Sequence, residues 1–304
     1  MMTGDPAGES TQPSGGSRRA LARLAKALLS LALLVVLIWK VPVGQALEGL
    51  AALSWPGLVG IVVLSFAFPA VAAVRWKRVL RYLGAEQSWW PLMADTLVSS
   101  TYNMLLPTNI GGDVVRALRS GRRIDGAHRA WSSVLFERLV GLVALALLAV
   151  PGLAMVPGRL QALGWAVAGI VLVSVVVLVL APAPFRAAGK LLAARAPVMA
   201  AVGDRIANDL AGPLARAAPR IETMLWSTLY QATGLGMLVL VAFDWGEPSM
   251  TWAILGGVPL ALILTLLPVS IAGLGVRESL FVVLLGQLGV ESERAMALAI
   301  VWLA

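Results

Sequence analysis

The sequence predicts an all-α polytopic membrane protein, with about six transmembrane spans and two re-entrant hairpins arranged as inverted repeats. Three observations carry this prediction. The 304 residues are 59% hydrophobic and only 13% charged, where a soluble domain carries about a quarter charged residues, and mean hydropathy is +0.85. Apolar runs recur along the chain, each near the ~20 residues that cross a bilayer as a helix. Finally, one polar, glycine-containing stretch, LLPTNIGGDVVR at 105–116, has a second copy, LLPVSIAGLGVR at 266–277. The runs are continuous rather than alternating, so they read as helices and not as the strands of a closed barrel.

Composition also excludes chemistry. With no cysteine and a single histidine, disulfides, thiolate nucleophiles and Cys/His zinc sites are ruled out. The acidic residues are scattered, so no metal and no cofactor is expected. His128 stands among Arg122, Arg123 and Arg129 and reads as a solvated loop residue. The net charge of +8 is concentrated: nineteen of the 24 basic residues fall in four patches, at 18–26, 75–81, 116–129 and 186–220. Patches at the ends of apolar spans are the positive-inside pattern. The implied partner is an anionic membrane lipid, not nucleic acid.

Taken in order, residues 1–17 form a Gly/Ser/Pro tail with no apolar face, expected to be disordered. The basic run 18–26 before an apolar stretch has the layout of a signal peptide, but the long polar lead and the later spans favour a retained first helix. The first membrane half, 18–181, holds spans at about 25–41, 56–74 and 132–156, with span 163–181 opening the second half. Residues 89–119 contain Asp95, Ser99, Ser100, Thr101, Tyr102 and Asn103, poor material to face lipid. If this run crossed fully, two basic patches would lie outside. If it enters and leaves on one face, all four lie inside with the N-terminus, as in a plasma-membrane protein whose N-terminus is cytoplasmic. Hence a re-entrant hairpin is expected at about 89–119. Residues 182–223 form a basic cytoplasmic linker. The rest of the second half, 224–304, carries span 224–243 and a second hairpin at about 251–290.

The two motif copies agree at seven of twelve positions. Three spans separate them, so the second hairpin enters from the opposite face, a plan that recurs among transporters. Pro107 and Pro268 end the incoming arm, since proline lacks the amide hydrogen and clashes with the preceding turn. Gly111 and Gly112, and Gly273 and Gly275, allow the backbone to turn. The returning arm then starts a helix inside the membrane. Its free amides and positive dipole end favour phosphate, and Arg116 and Arg277 add a fork suited to bidentate binding. Asn109 and Ser270 occupy matching positions and complete the polar lining. A plainer reading stands beside this: Asp113 as an N-cap neutralised by Arg116, and Arg277–Glu278 as an interfacial pair. Glu137 and Arg138 lie inside span 132–156. Adjacent on a helix, they face different ways, so Glu137 is expected to seek Arg116, Arg277 or another hairpin group while Arg138 snorkels. Trp55, Trp89, Trp90 and Trp252 read as interfacial anchors.

LLPTNIGGDVVR, the ERLVGL of 137–142 and the PVSIAGLGVRESL of 268–280 together resemble the lysylphosphatidylglycerol synthase transmembrane-region family, also called flippase-like integral membrane proteins. The resemblance covers roughly residues 25–304. It implies a lipid-translocating module, fused in some members to a cytoplasmic transferase that loads lysine onto phosphatidylglycerol. No transferase is expected here, because the longest soluble stretch is 182–223. The ten residues of 295–304 give only about 15 Å of helix, where the family continues further.

The leading expectation is a flippase-like transporter, not an enzyme. It moves a phospholipid or polyprenyl-phosphate-linked headgroup through a polar cavity lined by Asn109, Asp113, Arg116, Glu137, Ser270, Arg277 and Glu278. One alternative is a glycosyltransferase-like membrane enzyme acting on polyprenyl or phospholipid phosphate. That chemistry wants a carboxylate base and usually a divalent cation, and the sequence shows no acidic cluster with ligand spacing. Another is a non-transporting partner of a separate lipid-modifying synthase, docked through 182–223.

Overall fold

The computed structural model describes residues 43–105, 111–155, 197–265 and 276–303, with a few single positions between 158 and 173. All regular structure among them is helical. The helices are α1 (Val43–Ala51), α2 (Trp55–Tyr82), α3 (Trp89–Leu105), α4 (Gly111–Gly121), α5 (Ala127–Met155), α6 (Pro197–Ala215), α7 (Ala217–Asp244), α8 (Met250–Leu264), α9 (Val276–Gln287) and α10 (Ser292–Leu303). The expected spans at 25–41 and 163–181 lie wholly or largely outside the described residues, as do Pro107, Asn109, Pro268, Ser270, Gly273 and Gly275.

Three of these helices, α2, α5 and α7, are long and apolar enough to cross a membrane. At 28 residues, α2 and α7 are each about 42 Å long, longer than a ~30 Å hydrocarbon core. Ser54 starts α2: its hydroxyl accepts from Gly57 N–H at 3.2 Å, an N-cap bond that satisfies an otherwise orphan amide. Asp244, the last residue of α7, accepts from Ser54 N–H at 2.7 Å. At the far end of α2, Tyr82 bonds Glu222. The two helices therefore run antiparallel, and the bundle has a Trp55 end and a Tyr82 end. Val59, Val62, Val63 and Phe66 on α2, and Ile221, Leu225 and Leu229 on α7, are exposed. This is the outward surface that a lipid solvent leaves free.

α2 runs eight residues past the span expected at 56–74. Trp76, Val79 and Leu80 repeat at helical spacing between the basic residues and are wholly buried, so the helix continues through the basic patch. The region read as a linker likewise holds helix α6 and the first turns of α7. There Leu210 packs with Val79, Leu83, Phe136 and Val140. His128 is not a loop residue; it sits in the first turn of α5, 3.6 Å from Asp209 on α6.

α3 and α4 form an antiparallel pair. Gln87, just ahead of α3, donates to Ser120 carbonyl at the end of α4. Asn103 near the end of α3 accepts from Gly112 N–H at the start of α4, at 2.8 Å. The pair opens at the Tyr82 end. A second pair, α8 and α9, opens at the Trp55 end, where Trp245 Nε1–H donates to Gly49 carbonyl at 3.1 Å and Arg294 pairs with Glu247. Apart from Glu278, which is buried on α9, its packing is apolar: Ile254, Val258, Phe281 and Leu285 join Leu238 of α7 and Leu298 of α10 in one core.

Candidate functional site

The first helix pair carries charge into the bundle. Asp113 and Arg116 lie in the first two turns of α4, and both are buried. Arg116 Nε–H donates to Asp113 Oδ1 at 2.9 Å, and its Nη1–H donates to Glu137 Oε2 on α5, also at 2.9 Å. Glu137, 1% exposed, takes a second arginine on its other oxygen: Arg75 Nε–H of α2 at 2.9 Å from Oε1. Asp113 Oδ2 in turn pairs with Arg138 of α5. The result is one alternating chain across three helices, Arg75–Glu137–Arg116–Asp113–Arg138.

Aromatic faces hold the two buried guanidiniums. Arg116 Cζ lies 4.9 Å from the Trp76 ring centroid and Arg75 Cζ 4.5 Å from that of Tyr230 on α7. Desolvated cation–π contacts of this kind contribute about 2 kcal/mol each. Trp76 is itself fixed by donating to Ser133 Oγ at 2.8 Å, and Phe68 stacks on Tyr230 at 4.2 Å. Four helices thus set the position of one carboxylate, Glu137.

The charges do not cancel. Three guanidiniums face two carboxylates, a surplus of one positive charge. No residue of the undescribed segments at 106–110, 156–196 or 266–275 is acidic; outside the described residues only Asp5 and Glu9 are. Arg138, with 33% of its side chain exposed, sits where the chain of charges meets the surface.

Nearer the Tyr82 end, a second charged set ties α3 to α4. Asp95 of α3 is wholly buried and receives Arg119 Nε–H at 2.7 Å together with Arg123. At the start of α4 the two helices nearly touch: a Cβ on Gly112 would come 2.1 Å from Ser99 carbonyl oxygen.

Three residues expected at the site, Asp113, Arg116 and Glu137, are therefore brought together. Arg277 and Glu278 pair with each other, Nη2 to Oε1 at 2.7 Å, and among the described residues no ion pair joins them to the first set. Asn109 and Ser270 lie outside the described residues. Asp113 binds two arginines, and Asn103 takes the Gly112 amide that sequence reasoning left free. Arg138 pairs with Asp113 while a third of its side chain stays exposed. Sequence reasoning missed Arg75, Trp76 and Tyr230. The apolar residues at helical spacing through 76–83 were the available signal for Arg75, because they carry the helix face inward past it. Nothing in the sequence singled out Tyr230.

The family model described as the lysylphosphatidylglycerol synthase TM region matches residues 23–304. No curated protein and no solved structure matches the chain.

Proposed function

The chain belongs to the lysylphosphatidylglycerol synthase transmembrane-region family and is a membrane protein; from that premise we propose that it is a flippase-like transporter of phosphate-bearing lipid headgroups. The observation that carries this reading is the buried chain of three arginines and two carboxylates around Glu137. A buried ion network is a poor way to gain stability, because desolvating each ion costs several kcal/mol and apolar packing does as well or better. Charges at membrane depth are instead a mark of function.

In this reading α3–α4 and α8–α9 are re-entrant hairpins entering from opposite faces, and the Tyr82 end, with Lys77, Arg78, Arg81, Arg119 and Arg123, is cytoplasmic. A phosphate monoanion supplies the negative charge that the network lacks. It competes with Glu137 and Asp113 for the guanidinium forks of Arg116 and Arg75, which match phosphate oxygens two at a time. Because the internal carboxylates take the arginines back, the headgroup leaves as readily as it arrives. The acyl or polyprenyl chains stay in lipid throughout, along the exposed apolar faces. Movement of the two pairs in alternation opens the site to one leaflet and then the other.

The test is reconstitution in liposomes with fluorescent headgroup-labelled lipids, scored by accessibility to a membrane-impermeant quencher. Arg116→Ala is expected to reduce translocation at least tenfold, with Arg116→Lys recovering part of it. Arg277→Ala is expected to change the rate much less. Wild-type translocation by a properly folded Arg116→Ala protein removes the network from the mechanism.

A further inference from the structure

Between the last turns of α2 and the turn leading into α3 lies a pocket of about 280 Å³ lined by Lys77, Arg81, Glu86, Gln87 and Ser88. It is separate from the Glu137 network, and three features give it a chemistry. Lys77 is half-buried and has no hydrogen bond or ion pair among the described residues. Arg81 meets Glu86 only at 3.9 Å, with both side chains more than half exposed, and an exposed pair at that distance contributes about 0–1 kcal/mol. The pocket thus holds two cations, only one of them loosely paired, against one acid. Gln87 donates its amide to Ser120 carbonyl at 3.0 Å, so the pocket wall is tied to the end of α4.

The surroundings identify the source of the anion. Trp90, 75% exposed, stands two residues from Ser88, and its ring packs edge-on to Trp89 at 4.6 Å. Exposed indoles next to a basic patch mark headgroup depth. A cavity this size is at the lower limit for ligand sites: it admits a phosphate with a small polar substituent, while acyl chains remain in the bilayer.

We propose that this pocket is a surface headgroup site for an anionic phosphodiester lipid. Lys77 and Arg81 hold the phosphate, and Trp90 flanks the glycerol region. Bound lipid at this position stands at the open end of the α3–α4 pair, beside the residue that anchors α4.

The experiment uses the full chain in detergent and native mass spectrometry with short-chain phosphatidylglycerol, phosphatidylcholine and glycerol phosphate. Wild type is expected to retain one phosphatidylglycerol at least tenfold more tightly than phosphatidylcholine. Lys77→Gln combined with Arg81→Gln should weaken that one equivalent at least fivefold, and Trp90→Ala should weaken it severalfold. Arg116→Ala should leave it in place, which separates this site from the transport reading. The inference is overturned if the Lys77/Arg81 double variant binds like wild type or if phosphatidylcholine binds equally well. Displacement by glycerol phosphate as effective as by the short-chain lipid also overturns it, because the pocket then recognises soluble phosphate rather than lipid.

Discussion

The α3–α4 and α8–α9 pairs share a twelve-residue motif that agrees at seven positions, and they bury different kinds of surface. The first encloses Asp95, Asp113 and Arg116; the buried face of α8 is Met250, Ala253, Ile254, Val258, Leu260, Ala261 and Ile263, with Gly256, Gly257 and Pro259. The divergence begins inside the motif. Asp113 in the first copy corresponds to Leu274 in the second, so Arg277 has no acid at the equivalent place and pairs with its neighbour Glu278. It continues in the following helix: α5 presents Glu137, while α10 carries its charges Glu293 and Arg294 in its first turn and is apolar from Ala295 to Leu303. Partners elsewhere thus decide whether the arginine of the motif becomes part of a network. One pair is built to hold charge and the other to pack.

The largest expected difference comes from removing the acid in each. Glu137→Gln leaves Arg75 and Arg116 buried with their common carboxylate gone, and breaking a buried pair in this way costs about 3–5 kcal/mol. Glu278→Gln leaves Arg277, whose side chain is 21% exposed, partly open to solvent, and the expected cost is about 1 kcal/mol. Unfolding midpoints of the two variants in the same detergent check this. Equal losses would mean that the second pair depends on its charges as much as the first, and the contrast would fail.

Next in size is the closeness of the two arms. In Gly112→Ala the new methyl would meet Ser99 carbonyl oxygen at 2.1 Å, and backbone cannot step aside, so α3 and α4 must separate. The cost of such overpacking is about 1–3 kcal/mol, and the separation would also disturb the Asn103 bond to the same residue's amide. In Gly257→Ala the nearest atom is Leu285 Cδ2 at 2.9 Å, the end of a side chain that can rotate, and the expected cost is below about 1 kcal/mol. Cysteine cross-linking yield between the arms, in this naturally cysteine-free chain, would show whether α3 and α4 have moved apart.

These sites were unevenly legible in the sequence. Leu-Leu-Pro followed by glycines raised the expectation of two broken helices, because proline and glycine act locally on the backbone; most of those residues lie outside the described ones. Arg116 and Glu137 were legible as partners because ionised groups in apolar surroundings must find each other. The acid-to-arginine arithmetic was not legible, since Arg75 reads as one more basic residue in a patch until the helix is seen to continue past it. Nor was Arg138, whose reach to Asp113 depends on how α4 docks against α5. Spacing along one helix carries no information about which guanidinium crosses to the next.

The smallest effect is the most discriminating, because the two pairs should respond to one substitution with opposite signs. Thr96 in α3 is buried and donates to Leu92 carbonyl at 2.8 Å. Thr251 in α8 has a buried hydroxyl oxygen with no partner among the described residues. Thr96→Val removes a made hydrogen bond and is expected to destabilise by about 0.5–1 kcal/mol. Thr251→Val removes a buried hydroxyl that no bond compensates, so it is expected to be neutral or to stabilise by up to about 1 kcal/mol. Thermal unfolding of both variants, run side by side, reads the sign directly. Should Thr251→Val destabilise as much as Thr96→Val, its hydroxyl must have a partner, and α8–α9 would be a polar pair like the first.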